Sequence, residues 1–160
     1  MSHPHDRVHQ GFEDFYQSHW TATVRLARLL TSRSDLAEDL AQDAFVRVYR
    51  YAEHNERPID NPAALLRTTT LNVCRSFHTS QQRLQHHLGR HGVTPDVLTE
   101  WERELDHSLA RLPYEQRAVV VLRFWLGLTE AQIADTLGCR PGTVKSRLSR
   151  ALRSLRKDLE

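Results

Sequence analysis

The chain is poor in the residues that break, stiffen or crosslink a backbone. Its 160 residues include 6 Gly, 6 Pro and 2 Cys. So few Gly and Pro exclude a collagen-like or low-complexity chain. Cys74 and Cys139 lie far apart and in no C-x-x-C pair. Zinc-ribbon, redox-motif and disulfide-framework readings therefore lack support, and reduced thiols in the cytoplasm are expected. Long apolar runs are missing too. The longest, Ala118 to Leu122, ends at Arg123, whereas a bilayer span needs about 20 such residues. The opening segment MSHPHDRVHQ has no apolar core of the kind a secretory signal carries. Ten His invite a metal or catalytic reading. Yet there is no Gly-rich phosphate loop and no nucleophile elbow. No enzyme, cofactor or metal site is expected. His3 and His5 read as part of a polar tail.

Acid is absent from two stretches. Arg140 to Lys157 holds seven Arg/Lys and no acid, and Asn61 to Gly92 holds four Arg and no acid. Between Gly11 and Asp60, by contrast, nine acids face six bases. A net charge of +2 thus hides two basic segments and one acidic one. Two basic segments on separate helices point to a polyanion touched at two places. The plainer alternative is that each is a solvated helix face.

What is present is helical periodicity throughout, and no credible strand. Phe12, Tyr16, Trp20, Val24 and Ala27 predict a helix over about 9–30. A second should begin at Asp35, with Glu38 completing a capping box, and run to about Tyr51. Asn61 caps a third, with Pro62 at its first position, to about Ser80. Residues 81–93, with two Gly and the His86, His87, His91 group, read as a linker. Thr94-Pro95 opens a fourth helix to about Leu112, and Pro113 a fifth to about Leu126, closed by Gly127. Thr129, with Gln132, caps a sixth that ends at Gly138, and Pro141 opens the last. The expected fold is all-α: two small helical modules, 8–80 and 94–160, each with its own modest core.

The segment TEAQIADTLGCRPGTVKSRLSRALRSLRK carries the strongest motif. A helix-turn-helix needs a small residue where its helices cross, a Gly that admits positive φ at the turn, and apolar residues locking the pair. Ala134, Gly138, and Ile133, Leu137, Val144 and Leu148 supply these at consistent spacings. On the last helix Val144, Leu148, Ala151, Leu152 and Leu155 share one third of the wheel. Thr143, Ser146, Ser149, Arg150, Arg153 and Lys157 lie opposite, with Lys145 and Arg147 flanking. Such a face suits a major groove, where Arg reads guanine bidentately and Lys or Ser holds phosphate.

In the first module Asp39 and Asp43 stand four residues apart on one helix face, beside Gln42. Like charges at that spacing repel by a few tenths of a kcal/mol, and a cationic partner would offset this. The following helix carries Thr68 to Thr70, Asn72, Arg75, Ser76 and Phe77 and no acid. That set suits melted DNA, whose bases can stack and be bonded at their edges; a packing helix with half-buried Thr is the alternative.

Together these pieces resemble the extracytoplasmic-function (ECF) sigma factors of bacterial RNA polymerase. The resemblance rests on AEDLAQDAFVRVYR (37–50), NPAALLRTTTLNVCRSF (61–77), LPYEQRAVVVLRF (112–124) and IADTLGCRPGTVKSRLSRAL (133–152). It implies a region 2 bundle over 8–80 and a region 4 helix-turn-helix over 94–160, with 81–93 between them. It also implies a protein that binds core RNA polymerase and directs initiation at promoter DNA. By the same resemblance Asp39, Gln42 and Asp43 would meet the β′ clamp helices, region 4 would meet the β flap, and Asn72, Arg75 and Ser76 would serve the −10 element. Thr143, Lys145, Ser146, Arg147 and Arg150 would serve the −35 element, Thr143 through phosphate at the helix N-terminus. An anti-sigma factor is a further candidate partner. Two departures from the family pattern are the Thr68–Thr70 run, where Arg or Lys is more usual, and Phe77 in place of Trp. A stand-alone helix-turn-helix regulator would leave the acidic patch and the Asn72 helix idle, and a sigma mimic would not need Arg150.

Overall fold

The computed structural model describes residues 4–88 and 99–159; within these, side chains are described for 11–83 and 99–158. Seven α-helices occur among the described residues, and no strand. They are α1 (Pro4–Thr31), α2 (Ser34–His54), α3 (Pro62–Leu88), α4 (Glu100–Ala110), α5 (Tyr114–Val120), α6 (Glu130–Leu137) and α7 (Pro141–Leu159). The all-α expectation is met, and no described helix is long and apolar enough to cross a membrane.

Local chemistry sets most boundaries. Asn61 caps α3 through its side-chain oxygen, which accepts from the Ala64 N–H at 3.0 Å. Thr129 and Gln132 form a reciprocal capping box on α6. Gly138 ends that helix at φ 64°, where a Cβ would be strained. The start of α2 differs from expectation. Asp35 lies inside the first turn, and its carboxylate accepts from Arg33 Nε and Nη2, at 2.8 and 2.7 Å, instead of capping. α3 runs through Leu88, so the first part of the expected linker is helical. QQRLQHHL contains no helix breaker, and the first Gly comes only at 89. Residues 89–93 of that linker, and the Thr94-Pro95 cap, fall outside the described residues. The observed cap of α4 is Thr99, paired with Glu102 in a second capping box.

Beyond α5 the chain widens into a π-helical turn, Val121–Trp125, rather than continuing as α-helix to 126. The Leu126 N–H donates to the Val121 carbonyl at 3.2 Å, five residues back. Gly127, at φ 65°, then reverses the chain. The wider turn leaves Phe124 and Trp125 exposed while Val121 and Leu122 stay buried.

α1, α2 and α3 pack as a three-helix bundle, and α6 and α7 form the helix-turn-helix against α5. One core in the bundle is aromatic. Phe45 is buried among Phe12, Phe15, Tyr16 and Trp20, with ring centroids 4.7 Å apart for Tyr16 and Phe45. The larger core is shared. Leu26, Leu29, Leu30, Leu71 and Cys74 of the bundle join Leu109, Leu112, Tyr114, Val119, Leu122, Ile133 and Val144 in one buried cluster. The modules were expected to bury separate cores; instead their apolar faces close on each other, because α1 and α3 each offer a second apolar stripe to α4, α5 and α6.

Candidate nucleic-acid interface

The helix-turn-helix is assembled as its sequence pattern requires. Ala134 and Val144 are buried where α6 and α7 cross, and Ile133 and Ala151 are inaccessible. This turns Lys145, Ser146, Ser149, Arg150 and Arg153 outward on α7, all exposed. Lys145 Nζ lies 3.8 Å from Glu130 of α6. Pairs this loose and exposed add little stability, and the lysine stays available. Thr143 is half-buried. Its N–H donates to the Arg140 carbonyl at 2.9 Å. The first turn has therefore used that donor, and the hydroxyl is the group left for a phosphate. Ser146 Oγ donates to the Thr143 carbonyl at 3.1 Å.

On α2, Asp39 and Gln42 are exposed and Asp43 is half-exposed. Both Asp43 carboxylate oxygens accept from Arg47 at 3.1 Å, one turn further on. Beside them a groove of about 450 Å³ opens between α1 and α2, lined by Phe12, Tyr16, Gln42, Val46, Tyr49 and Arg50 among others. Of the three polar residues singled out on α2, Gln42 lines this largely apolar hollow, which sequence reasoning did not reveal.

α3 divides its residues between packing and presentation. Thr70 is fully buried and its hydroxyl donates to the Leu66 carbonyl at 2.7 Å, while Thr69 bonds Leu65 in the same way at 2.8 Å. The threonine run therefore packs the helix. Asn72 and Ser76 are exposed, and Phe77 is half-buried with the Arg33 guanidinium 5.9 Å from its ring centroid. Arg75 is committed within the chain. Its Nε donates to Glu115 Oε1 at 2.8 Å and its Nη1 to Asn72 Oδ1 at 3.1 Å. Arg147 of α7 donates to the same Glu115, at Oε2, over 3.2 Å. One carboxylate therefore joins an arginine from each module, a link that no local pattern of residues signals.

Further polar links cross between the modules. Arg28 of α1 meets Asp106 of α4 at 3.2 Å, and Tyr114 Oη donates to the Leu71 carbonyl at 2.8 Å. Arg117, 3% exposed, donates to the Leu30 carbonyl at 2.8 Å and to those of Ala110 and Leu112 at 3.0 and 3.3 Å. Burial lowers the Arg117 pKa from its ordinary value and raises that of Asp106, with Arg28 opposing the rise. His78, its ring 5.5 Å from that of Tyr114, is held below its ordinary pKa by burial and then by the Arg117 charge.

A three-helix bundle presenting an acidic face and a polar helix, followed by a helix-turn-helix with a basic outer face, is the layout of a two-region sigma factor. The sigma-70 region 2 family model matches residues 15–84 and the sigma-70 region 4 model residues 102–155. The ECF RNA polymerase sigma factor SigL of Mycobacterium tuberculosis is 32% identical over 157 residues, covering 91% of this chain and 86% of that protein. The RNA polymerase sigma-E factor of Streptomyces avermitilis is 33% identical over 155 residues, covering 93% and 85%. Among solved structures, the sigma factor RpoE in complex with the anti-sigma factor NepR from Bartonella quintana superposes with a TM-score of 0.77 at 26% identity, covering 94% of this chain and 97% of that one. The chain belongs to the ECF sigma factors. It acts with core RNA polymerase and promoter DNA, directing promoter-specific initiation. This family is not an enzyme class. A stand-alone regulator is not favoured, because such a protein has no use for the region 2 match.

Proposed function

We propose that the two modules divide promoter recognition along the lines of residues 8–80 and 94–160, with Asp39, Gln42 and Asp43 holding the β′ clamp helices and region 4 meeting the β flap. In this reading Asn72 takes a base of the melted −10 strand at its edge, with Arg75 and Ser76 beside it. Lys145, Ser146, Arg147 and Arg150 read the −35 duplex in the major groove, and Thr143 holds a phosphate. The chain works in the cytoplasm and does no chemistry of its own. By analogy with the RpoE–NepR complex, an anti-sigma protein is its expected inhibitor.

The observation that carries this reading is the outward basic face of α7, held by a turn whose Gly138 sits at positive φ. Replacing Arg150 by Ala should lower −35-dependent run-off transcription by about 1–3 kcal/mol in promoter affinity. The loss should fall on one or two base pairs of the −35 element. The measurement is transcription with core enzyme on a promoter library; an unchanged sequence preference would remove Arg150 from the reading.

A further inference from the structure

We propose that Glu115 is an autoinhibitory clasp, which holds Arg75 of region 2 and Arg147 of region 4 and so occupies one promoter-reading arginine of each module in the free chain. The inference rests on reading those two arginines as DNA contacts.

The geometry is specific. Glu115 stands in the first turn of α5, facing α3 on one side and α7 on the other. Its Oε1 accepts from Arg75 Nε at 2.8 Å, and its Oε2 accepts from Arg147 Nη1 at 3.2 Å and lies 3.5 Å from Arg75 Nη2. Arg75 Nη1 is spent on Asn72 Oδ1. The base-edge acceptor of Asn72 is thus engaged as well, through the arginine that Glu115 fixes. The Arg75 guanidinium also lies 5.8 Å from the Tyr114 ring centroid, and Tyr114 is itself tied to the Leu71 carbonyl. A DNA phosphate or guanine edge would compete for the same N–H groups as the carboxylate.

The clasp sits across a seam that is otherwise apolar. The shared cluster around Leu30, Leu71, Tyr114, Val119 and Leu122 supplies most of the closing free energy, being non-directional. The carboxylate bridge adds register, and it joins groups that are only part-buried, so its own contribution is small. A small contribution is what a releasable contact needs. Apparent DNA affinity equals intrinsic affinity multiplied by the fraction of molecules that are open, so weakening the closed form raises affinity without any new contact. Opening the seam frees Arg75 from Glu115, whereas Arg147, on the same module as Glu115, is freed when DNA displaces the carboxylate.

The test uses the full chain without polymerase and a short fluorescein-labelled DNA duplex of mixed sequence. Glu115→Ala should bind this probe about fivefold tighter than wild type, and Glu115→Gln should bind with intermediate affinity. Small-angle scattering should show a radius of gyration close to that of wild type for Glu115→Ala, because the apolar seam still closes most molecules. Asp135→Asn removes the same charge from the exposed face of α6 and should leave the affinity near wild type. In an Arg147→Ala background the gain from Glu115→Ala should shrink, since the freed group is gone. Run-off transcription by assembled holoenzyme should be unaltered by Glu115→Ala, because the working complex is already open. Wild-type affinity in Glu115→Ala overturns the clasp, and so does an equal gain in Asp135→Asn. If Arg75→Ala and Arg147→Ala leave holoenzyme transcription at wild-type level, the underlying assignment of those arginines fails, whatever Glu115 does.

Discussion

Replacing Arg117 by Met should destabilise the chain by about 3 kcal/mol, the largest loss expected from any single polar side chain at the seam between the modules. Three carbonyls depend on this one guanidinium, those of Leu30, Ala110 and Leu112. Leu30 is in the last turn of α1, where carbonyls have no partner within the helix. A cation at that end also meets the negative pole of the helix. Met keeps the volume and the apolar stem but offers no donor, so three acceptors, two of them buried, are stripped at once. Arg117→Lys, with one compact ammonium, should recover part of the loss but not the second and third bonds. Urea unfolding of the full chain measures both variants. A midpoint for Arg117→Met equal to wild type would mean that water reaches those carbonyls and that the seam is looser than its packing indicates.

Asp43→Arg should reduce association with core RNA polymerase at least tenfold, by about 2–5 kcal/mol, if the charge meets a cationic surface at close range. The substitution breaks the paired bonds to Arg47 and sets two cations one turn apart. Within the helix this costs only a few tenths of a kcal/mol. The fold therefore survives, and the effect falls on the partner. Binding of the free chain to duplex DNA should not fall, since Asp43 lies on α2 and the basic face on α7. Competition with a labelled wild-type chain for limiting core enzyme reads the loss directly. Equal competition by Asp43→Arg would mean that the polymerase grips another face. The groove lined by Phe12, Val46 and Tyr49 also includes Gln42, so Val46→Glu offers a second probe of the same surface.

The features legible in the sequence are those whose cause is local. The Thr129–Gln132 capping box, the Asn61 cap, the Gly138 turn and the apolar stripe of α7 each depend on residues within a few positions, and each is formed. The exposure of Asp39, Ser146 and Arg150 follows from the same helical periodicity. Features set by tertiary contacts were out of reach. α3 outruns its expected end because no residue before Gly89 stops it, and the π turn after Val120 has no composition of its own. Arg117 looked like any charged residue in an amphipathic stretch, and Arg is seldom buried. Its role depends on carbonyls brought from α1 and from the turn before α5. Glu115 depends on Arg75 and Arg147, 40 and 32 residues away, and no periodicity links them. The shared core was missed for a related reason: hydrophobic patterning tells which face is apolar but not which neighbour covers it.

Cys74 makes that shared core chemically readable. Its thiol is inaccessible within the cluster, and burial pushes its pKa up to about 12. Reaction with a maleimide needs both thiolate and access, so Cys139, half-buried at the tip of the helix-turn-helix, should label first. The slower labelling of Cys74 then becomes a clock: its rate counts how often the seam breathes wide enough to admit a reagent. Labelling of Cys74 as fast as Cys139 would mean that the seam is open most of the time. The chain thus carries its own stopwatch, already wound into the wild-type sequence.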